Sequence, residues 1–419
     1  MAYFHTFARG LVALLPTTAL ALVLDLLPAG PAQAAGANDS GLLVYSTEGN
    51  RLRRYDVDTI GAGLVEDILI ERASQDADNG RDSNGVICPI PDGSGRFVLG
   101  EDTGQTAIPA GWGVFSAAGV QEGKLTATYQ TSGAEPFGCV FDEQARLFTT
   151  DVGSQAIGSS NGQLILWFAP YDVFPGAPGT YPNDSVSDNF CKIAADIGTA
   201  GQPVIDDQGR VYVSSSGSLS VLRFSPPFPT GPDAAGGCGA TDAQGSPLAD
   251  SVQREVFLAP DGLSTYSGIA LAPNGNLYIA TNLTGTIAEY TTDGQLVRKI
   301  LDPGDFNGLP IATGNPQSLA VAPNGSIYYA DLDLQGTLPD VGPGPNGKVR
   351  RITFDENGQP QPPQIVRENL AFPDGVAILP GNLEPRNEWP TYAGTYDRTF
   401  YNGHEQIITN DNVHLLERA

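Results

Sequence analysis

Histidine is nearly missing from the part of this chain that looks folded. There are 3 in 419 residues, His5, His404 and His414, and all lie near the ends. A Ser-His-Asp or Cys-His nucleophile system, an imidazole base and a His-ligated zinc are therefore excluded from the long middle of the sequence. Any catalysis there must use carboxylates, amides, hydroxyls or a hard metal. Asn84, Glu135 and Asp374 are the candidate metal ligands. Two carboxylates and an amide carbonyl suit calcium, which accepts about six to eight oxygen ligands. A cation held this way can polarise a lactone or ester carbonyl and activate water, with Asp331 or Asp102 as candidate base. The structural alternative is that these residues cap turns, because Asp and Asn satisfy loose backbone amides at strand ends.

The elements that must position them are repeats. "SGIALAPNGNLYIATNLTGTIAEYTTDGQLVRKIL" starts at Ser267, and "QSLAVAPNGSIYYADLDLQGT" at Gln317 is completed after an insertion by "NGKVRRITFDENGQPQPPQIV". Each reads as an apolar strand, a Pro-Asn-Gly turn, an alternating strand, a Gly-rich turn and two further strands, which is a four-stranded antiparallel meander. Weaker copies begin at Gly85, Phe137 and Gly201. A last first-strand, "FPDGVAIL" from Phe372, lacks partners downstream, whereas "GLLVYSTEGNRLRRYDVD" from Gly41 lacks a first strand. Joining them in one blade closes a ring and removes its exposed edges. The expected fold is all-β, a six-bladed β-propeller over residues 40–380. Strand one is innermost in each blade. Its start places Asn84, Glu135, Gln202, Ser267, Gln317 and Asp374 on the channel rim, beside Glu101, Asp102, Asp151, Asn282 and Asp331 from the ends of the second strands.

Composition narrows the partners. With 47 acidic against 22 basic residues the net charge is -25, which disfavours nucleic acid. The 51 Gly and 33 Pro fit many tight turns. Residues 1–34 have the layout of a secretory signal: Arg9, an apolar run, and Ala32-Gln33-Ala34 before the cut. No other segment could cross a bilayer, so a secreted or periplasmic protein is expected. Export permits disulfides. Cys191 and Cys238 read as a pair clamping an insertion, while Cys88 and Cys139, at nearly the same place in successive repeats, read either as a pair or as reduced core residues.

The repeats resemble the six-bladed propellers of the NHL and gluconolactonase/senescence-marker-protein class, related also to strictosidine synthase-like proteins. Glu135-Pro136-Phe137-Gly138, Asn84-Gly85 and Pro373-Asp374-Gly375 are similar to the E-G-P, N-G and P-D-G motifs of gluconolactonase-like proteins, and "IYYAD", ending at Asp331, is similar to their Y-Y-x-D strand. The resemblance implies a divalent metal at the channel mouth, held by the Glu, Asn and Asp. Here Glu135 is followed directly by Pro136, and Asn84 precedes it in the chain.

The tail, residues 381–419, carries a different resemblance. Trp389, Tyr392, Gly394, Tyr396, Arg398, Ile408, Asn412, Val413 and Leu416 can be laid on the start of the mature pyrroloquinoline-quinone (PQQ)-dependent alcohol dehydrogenases. The quinone ligands of that family lie beyond the matched stretch, so PQQ is not expected on this chain alone. Two functions follow. One is an exported ligand-binding or docking module, with a small molecule at its channel mouth, that accompanies a periplasmic quinoprotein dehydrogenase. The alternative is a calcium-dependent hydrolase of sugar lactones or esters.

Overall fold

The computed structural model describes residues 42–48, 51–56, 64–69, 81–92, 94, 96–103, 111–116, 121–125, 136–153, 160–169, 171, 189–231, 238, 249, 252–337, 340–370 and 372–380. The signal-like residues 1–34 and the tail 381–419 lie outside these.

The described residues form six four-stranded antiparallel sheets and one two-stranded ribbon, with no α-helix. Taken from the channel outwards, the first blade is Arg81–Pro89, Phe97–Thr103, Gly111–Phe115 and Gln121–Leu125. The second is Pro136–Phe141, Leu147–Asp151, Gln163–Trp167 and Phe190–Ala194. The third is Ala200–Ile205, Val211–Ser215, Ser220–Ser225 and Gln253–Leu258. The fourth is Tyr266–Leu271, Leu277–Thr281, Thr286–Tyr290 and Leu296–Leu301. The fifth is Pro316–Val321, Ile327–Asp331, Gly347–Ile352 and Gln364–Leu370, with the ribbon Leu334–Thr337 and Asp340–Pro343 inserted after its second strand. In the closing blade Pro373–Pro380 pairs with Leu42–Glu48, which continues to Arg51–Asp56 and Leu64–Leu69. Each innermost strand lies against the innermost strand of the next blade, and Pro373–Pro380 touches both the fifth blade and the first.

Period-two patterning explains the core. Alternate residues of each strand face opposite neighbours. In the second blade, Ile165 and Trp167 pack with Val98, Trp112 and Val114 of the first, whereas Leu164 and Leu166 pack with Val211 and Val213 of the third. Trp112 and Trp167 are each 1% exposed and are core residues. Both cysteine pairs are bonded. Cys88–Cys139 ties the innermost strands of the first and second blades, and Cys191–Cys238 anchors the insertion after the third blade's third strand.

The hairpins between strands one and two are pinned electrostatically. In the second and third blades, Asp142 and Asp206 each accept two turn N–H groups through Oδ1 and pair through Oδ2 with Arg146 and Arg210 at 2.7 and 2.6 Å. Asp92 and Arg96 pair the same way in the first blade, at 2.7 Å. The fourth blade uses another device. Its Pro-Asn-Gly turn places Gly275 at φ 83°, and the buried Glu289 accepts from Asn274, Asn276 and Arg298 at 2.8, 2.7 and 2.7 Å. Burial raises the Glu289 carboxyl, but the Asn274, Asn276 and Arg298 contacts outweigh it and hold the pKa below the ordinary glutamate value. A lowered carboxyl contributes stability that is present above its unfolded pKa, about 4.3, and is lost as pH falls through the folded value. Glu289→Gln should therefore lose stability at pH 7 and show a flatter decline below about pH 5. Urea midpoints across that range check this, and parallel curves for the two proteins would contradict it.

Candidate functional site

The mouth of the channel is the face where innermost strands begin and second strands end. Asn84 lies in Arg81–Pro89, opposite Gly100. Asp374 is the second residue of Pro373–Pro380, whose first residue pairs with Glu48. Pro136, directly after Glu135, opens the second blade's innermost strand and pairs with Asp151. The backbone thus brings Asp374, Asn84 and Pro136 to the mouth-side halves of three consecutive innermost strands. Asp102 is the last residue but one of the first blade's second strand, on the same face and opposite Asp82. Glu135 itself and the side chains of Asn84, Asp102 and Asp374 lie outside the described residues. Among the described residues no three His, Cys, Asp or Glu converge as a metal site.

Asp331 is described in full, and it organises the rim between the fourth and fifth blades. It is 1% exposed. Its Oδ1 accepts the N–H groups of Asn315 and Asp333 at 2.8 and 3.0 Å, and Oδ2 pairs with Arg350 Nε at 2.8 Å. Asn315 then donates to the Asn282 carbonyl at 2.8 Å and accepts from Leu334 N–H at 3.0 Å. Asn282 donates to Gln317 Oε1 at 2.9 Å and accepts from Thr265 at 2.7 Å. This chain fixes two rim residues, Asn282 and Gln317, through one buried ion pair. Proton abstraction by Asp331 would require it to give up part of that set, so its observed work is positional.

Deeper in the channel, Gln202 crosses from the third blade to the fifth. Its amide donates to the Leu319 carbonyl at 2.9 Å and accepts from Leu319 N–H at 3.0 Å. Gln202, Ser267 and Ser318 are all buried at this level. Sequence reading put Gln202 on the rim and did not foresee the crossing.

A second set of residues escaped sequence reading. Thr150 Oγ1 donates to the Gly201 carbonyl of the next blade at 2.6 Å and accepts from Gly138 N–H at 2.9 Å. One blade on, Ser214 donates to the Ser267 carbonyl, and Ser267 in turn to the Pro316 carbonyl at 2.7 Å. Each innermost strand bulges near its start, which frees backbone groups that a hydroxyl on the neighbouring blade can satisfy. The approach is close enough that a Cβ on Gly138 would fall 2.3 Å from Pro203 and 2.8 Å from the Gly201 carbonyl. A polar residue at the last buried step of strand two, facing the next blade's bulge, was the available signal. Thr150→Val should cost about 2 kcal/mol, since it strands a buried donor and an acceptor, while Thr150→Ser should recover most of it. Equal denaturation midpoints for the Val variant and wild type would refute the clasp.

The chain matches no family model and no curated protein. Solved structures are similar in fold. A protein of unknown function from Bacteroides caccae is 12% identical, with 81% of this chain and 99% of that one covered and a TM-score of 0.48. A calcium-binding protein, regucalcin, from Agrobacterium tumefaciens is 14% identical over 72% of this chain and 80% of that one, with a TM-score of 0.45. A catalytically inactive virginiamycin B lyase from Staphylococcus aureus is 11% identical over 77% and 80%, with a TM-score of 0.43. These are likenesses of fold, and no activity passes from them to this chain.

Proposed function

We propose that this chain is an exported β-propeller that binds a divalent cation, calcium, at the mouth of its channel and hydrolyses sugar lactones or related esters there. The supporting observation is the order of the innermost strands. Asp374 and Asn84 lie on the mouth side of two neighbouring innermost strands, Pro136 opens the innermost strand that follows them, and Glu135 directly precedes Pro136 in the sequence. Their donor set, two carboxylates and an amide oxygen, suits a hard cation. When bound, calcium supplies Lewis acidity at the carbonyl oxygen and a lower pKa for water.

The chain's own residues do the rest. Asn84, Glu135 and Asp374 hold and orient. Asp102, at the end of a neighbouring second strand, takes the proton from the attacking water, a role that leaves the Asp331–Arg350 pair intact. Water oxygen bonds to the carbonyl carbon, the ring oxygen leaves with a proton, and the product is a hydroxy acid. Gln202, bonded across the channel to Leu319, would help to keep the substrate at the mouth.

Export is supported by the two disulfides, and no helix among the described residues is long and apolar enough to cross a membrane. The dehydrogenase-docking reading rests on residues 381–419, outside the described set. A panel of sugar lactones, followed by pH-stat with calcium and again with chelator, tests the proposal. Acid release that stops on chelation is expected. Calcium-loaded protein that releases no acid from any lactone would favour docking instead.

A further inference from the structure

The third and fourth blades meet the mouth without charge. Their strand ends on that face, residues 197–202, 214–218, 264–268 and 281–286, carry serine, threonine, asparagine and glutamine but no acidic or basic side chain. Beside them in the fifth blade, Asp331 is buried and paired with Arg350. What this part of the rim offers a ligand is hydrogen bonding by hydroxyls and amides.

Gln317, in the fifth blade, shows how one of those amides is aimed. It is the bulged residue of its innermost strand: Pro316 lies opposite Asp331 and Ser318 opposite Ala330, while Gln317 has no opposite number in the ladder. A bulge re-aims a side chain, and this one reaches Asn282 at the end of the fourth blade's second strand. A row of hydrogen bonds then fixes which way the amide points. Leu283 N–H, which can only donate, gives to Thr265 Oγ1 at 3.0 Å, and Thr265 gives its own proton to Asn282 Oδ1 at 2.7 Å. That leaves Asn282 Nδ2 as the donor to Gln317 Oε1 at 2.9 Å. The Asn282 main chain is held as well, its N–H by the Thr265 carbonyl at 3.2 Å and its carbonyl by Asn315 at 2.8 Å. The last group in the row is Gln317 Nε2, a pure donor. It meets no acceptor among the described residues, and it is not a buried atom. Gln317 is half-buried, with this end of its amide open to the mouth.

The neighbouring innermost strand carries Asp374. Ser318 Oγ accepts the Val376 N–H at 3.0 Å. Gln317 lies one residue mouthward of Ser318, and Asp374 two residues mouthward of Val376. An open donor with a fixed direction thus stands one blade from a strand of the proposed metal site. We infer that Gln317 donates through Nε2 to a ring hydroxyl of the substrate, so that the mouth selects a polyhydroxylated lactone over a plain alkyl one. Asn282 and Thr265 are its positioning residues. This rests on the lactone-hydrolysis reading above and narrows its substrate class.

The test compares kcat/KM for glucono-δ-lactone with that for δ-valerolactone, the same ring without hydroxyls, at saturating calcium. Gln317→Met keeps the length and removes the amide, so the ratio of the two should fall about fivefold, the worth of one neutral hydrogen bond. The fall should come from a higher KM for the sugar lactone. A residue that only supports the fold would lower both rates together and leave the ratio alone. Asn282→Leu, which frees the Gln317 amide to turn, should lower the same ratio about threefold with Gln317 still in place. A hydroxyl can accept or donate, so Gln317→Glu, which still holds Asn282, should recover the ratio. A fall as large in Gln317→Glu as in Gln317→Met would mean that the oxygen being read carries no proton, and the hydroxyl assignment fails. A Gln317→Met ratio within about twofold of wild type would overturn the inference and leave lactone hydrolysis standing. If wild type hydrolyses neither lactone, the reading above fails, and saturation-transfer NMR with anhydroglucitol, a sugar ring without a carbonyl, decides the inference by itself. A signal that Gln317→Met loses upholds it. A signal that survives the substitution, or none from wild type, overturns it.

Discussion

Replacing Asp331 with Ala is expected to destabilise the protein by about 3–5 kcal/mol, because it leaves the Arg350 guanidinium buried without its carboxylate. Arg350 is 8% exposed and Asp331 1%, so water cannot take over. The loss extends past the pair, since Asn315 N–H and Asp333 N–H also lose their acceptor. Replacing both partners, as in Asp331→Leu with Arg350→Met, should recover a good part, because well-packed apolar residues often substitute for a buried pair at little cost. Urea denaturation of the single and double variants reads this out. A single variant within about 1 kcal/mol of wild type would mean that the pair is not holding the rim.

The second large effect concerns the metal. Glu135→Gln keeps volume and removes one of the two carboxylate charges proposed to hold calcium at the mouth. Affinity at oxygen sites is tuned by charge count, so calcium should bind about a hundredfold more weakly. At calcium levels that saturate wild type, lactone hydrolysis should fall in proportion to the unloaded fraction and return as calcium is raised. A variant whose rate stays low at saturating calcium would show instead that Glu135 acts in the chemistry, and unchanged calcium dependence would remove it from the site.

The architecture was legible because it repeats. Pro-Asn-Gly turns at Gly275 and Gly325 and alternating strands such as Leu277–Thr281 carry local information that no distant contact has to supply. Closure of the last blade was legible too, since "FPDGVAIL" lacked what the stretch from Gly41 offered, and the two do pair, Leu379 opposite Leu43. Patterning does not encode contacts between blades. The Thr150 clasp and the Gln202 crossing join residues 51 and 117 positions apart. Nothing local to Gln202 says that its amide will meet Leu319. The D-x-x-x-R staples were in plain view at Asp92, Asp142 and Asp206, and an ion pair four residues apart across a turn is a local signal that turn composition alone obscures. At the site, register was readable and partnership was not. Asp331 looked like a candidate base because its strand end faces the channel mouth, yet Arg350, 19 residues on in another strand, engages its carboxylate.

Isothermal titration of the full chain with calcium, wild type beside Glu135→Gln, tests the central claim most directly. The account predicts saturable binding by wild type and a much weaker isotherm for the variant. Flat isotherms from both, in protein whose melting curve shows it folded, would contradict it.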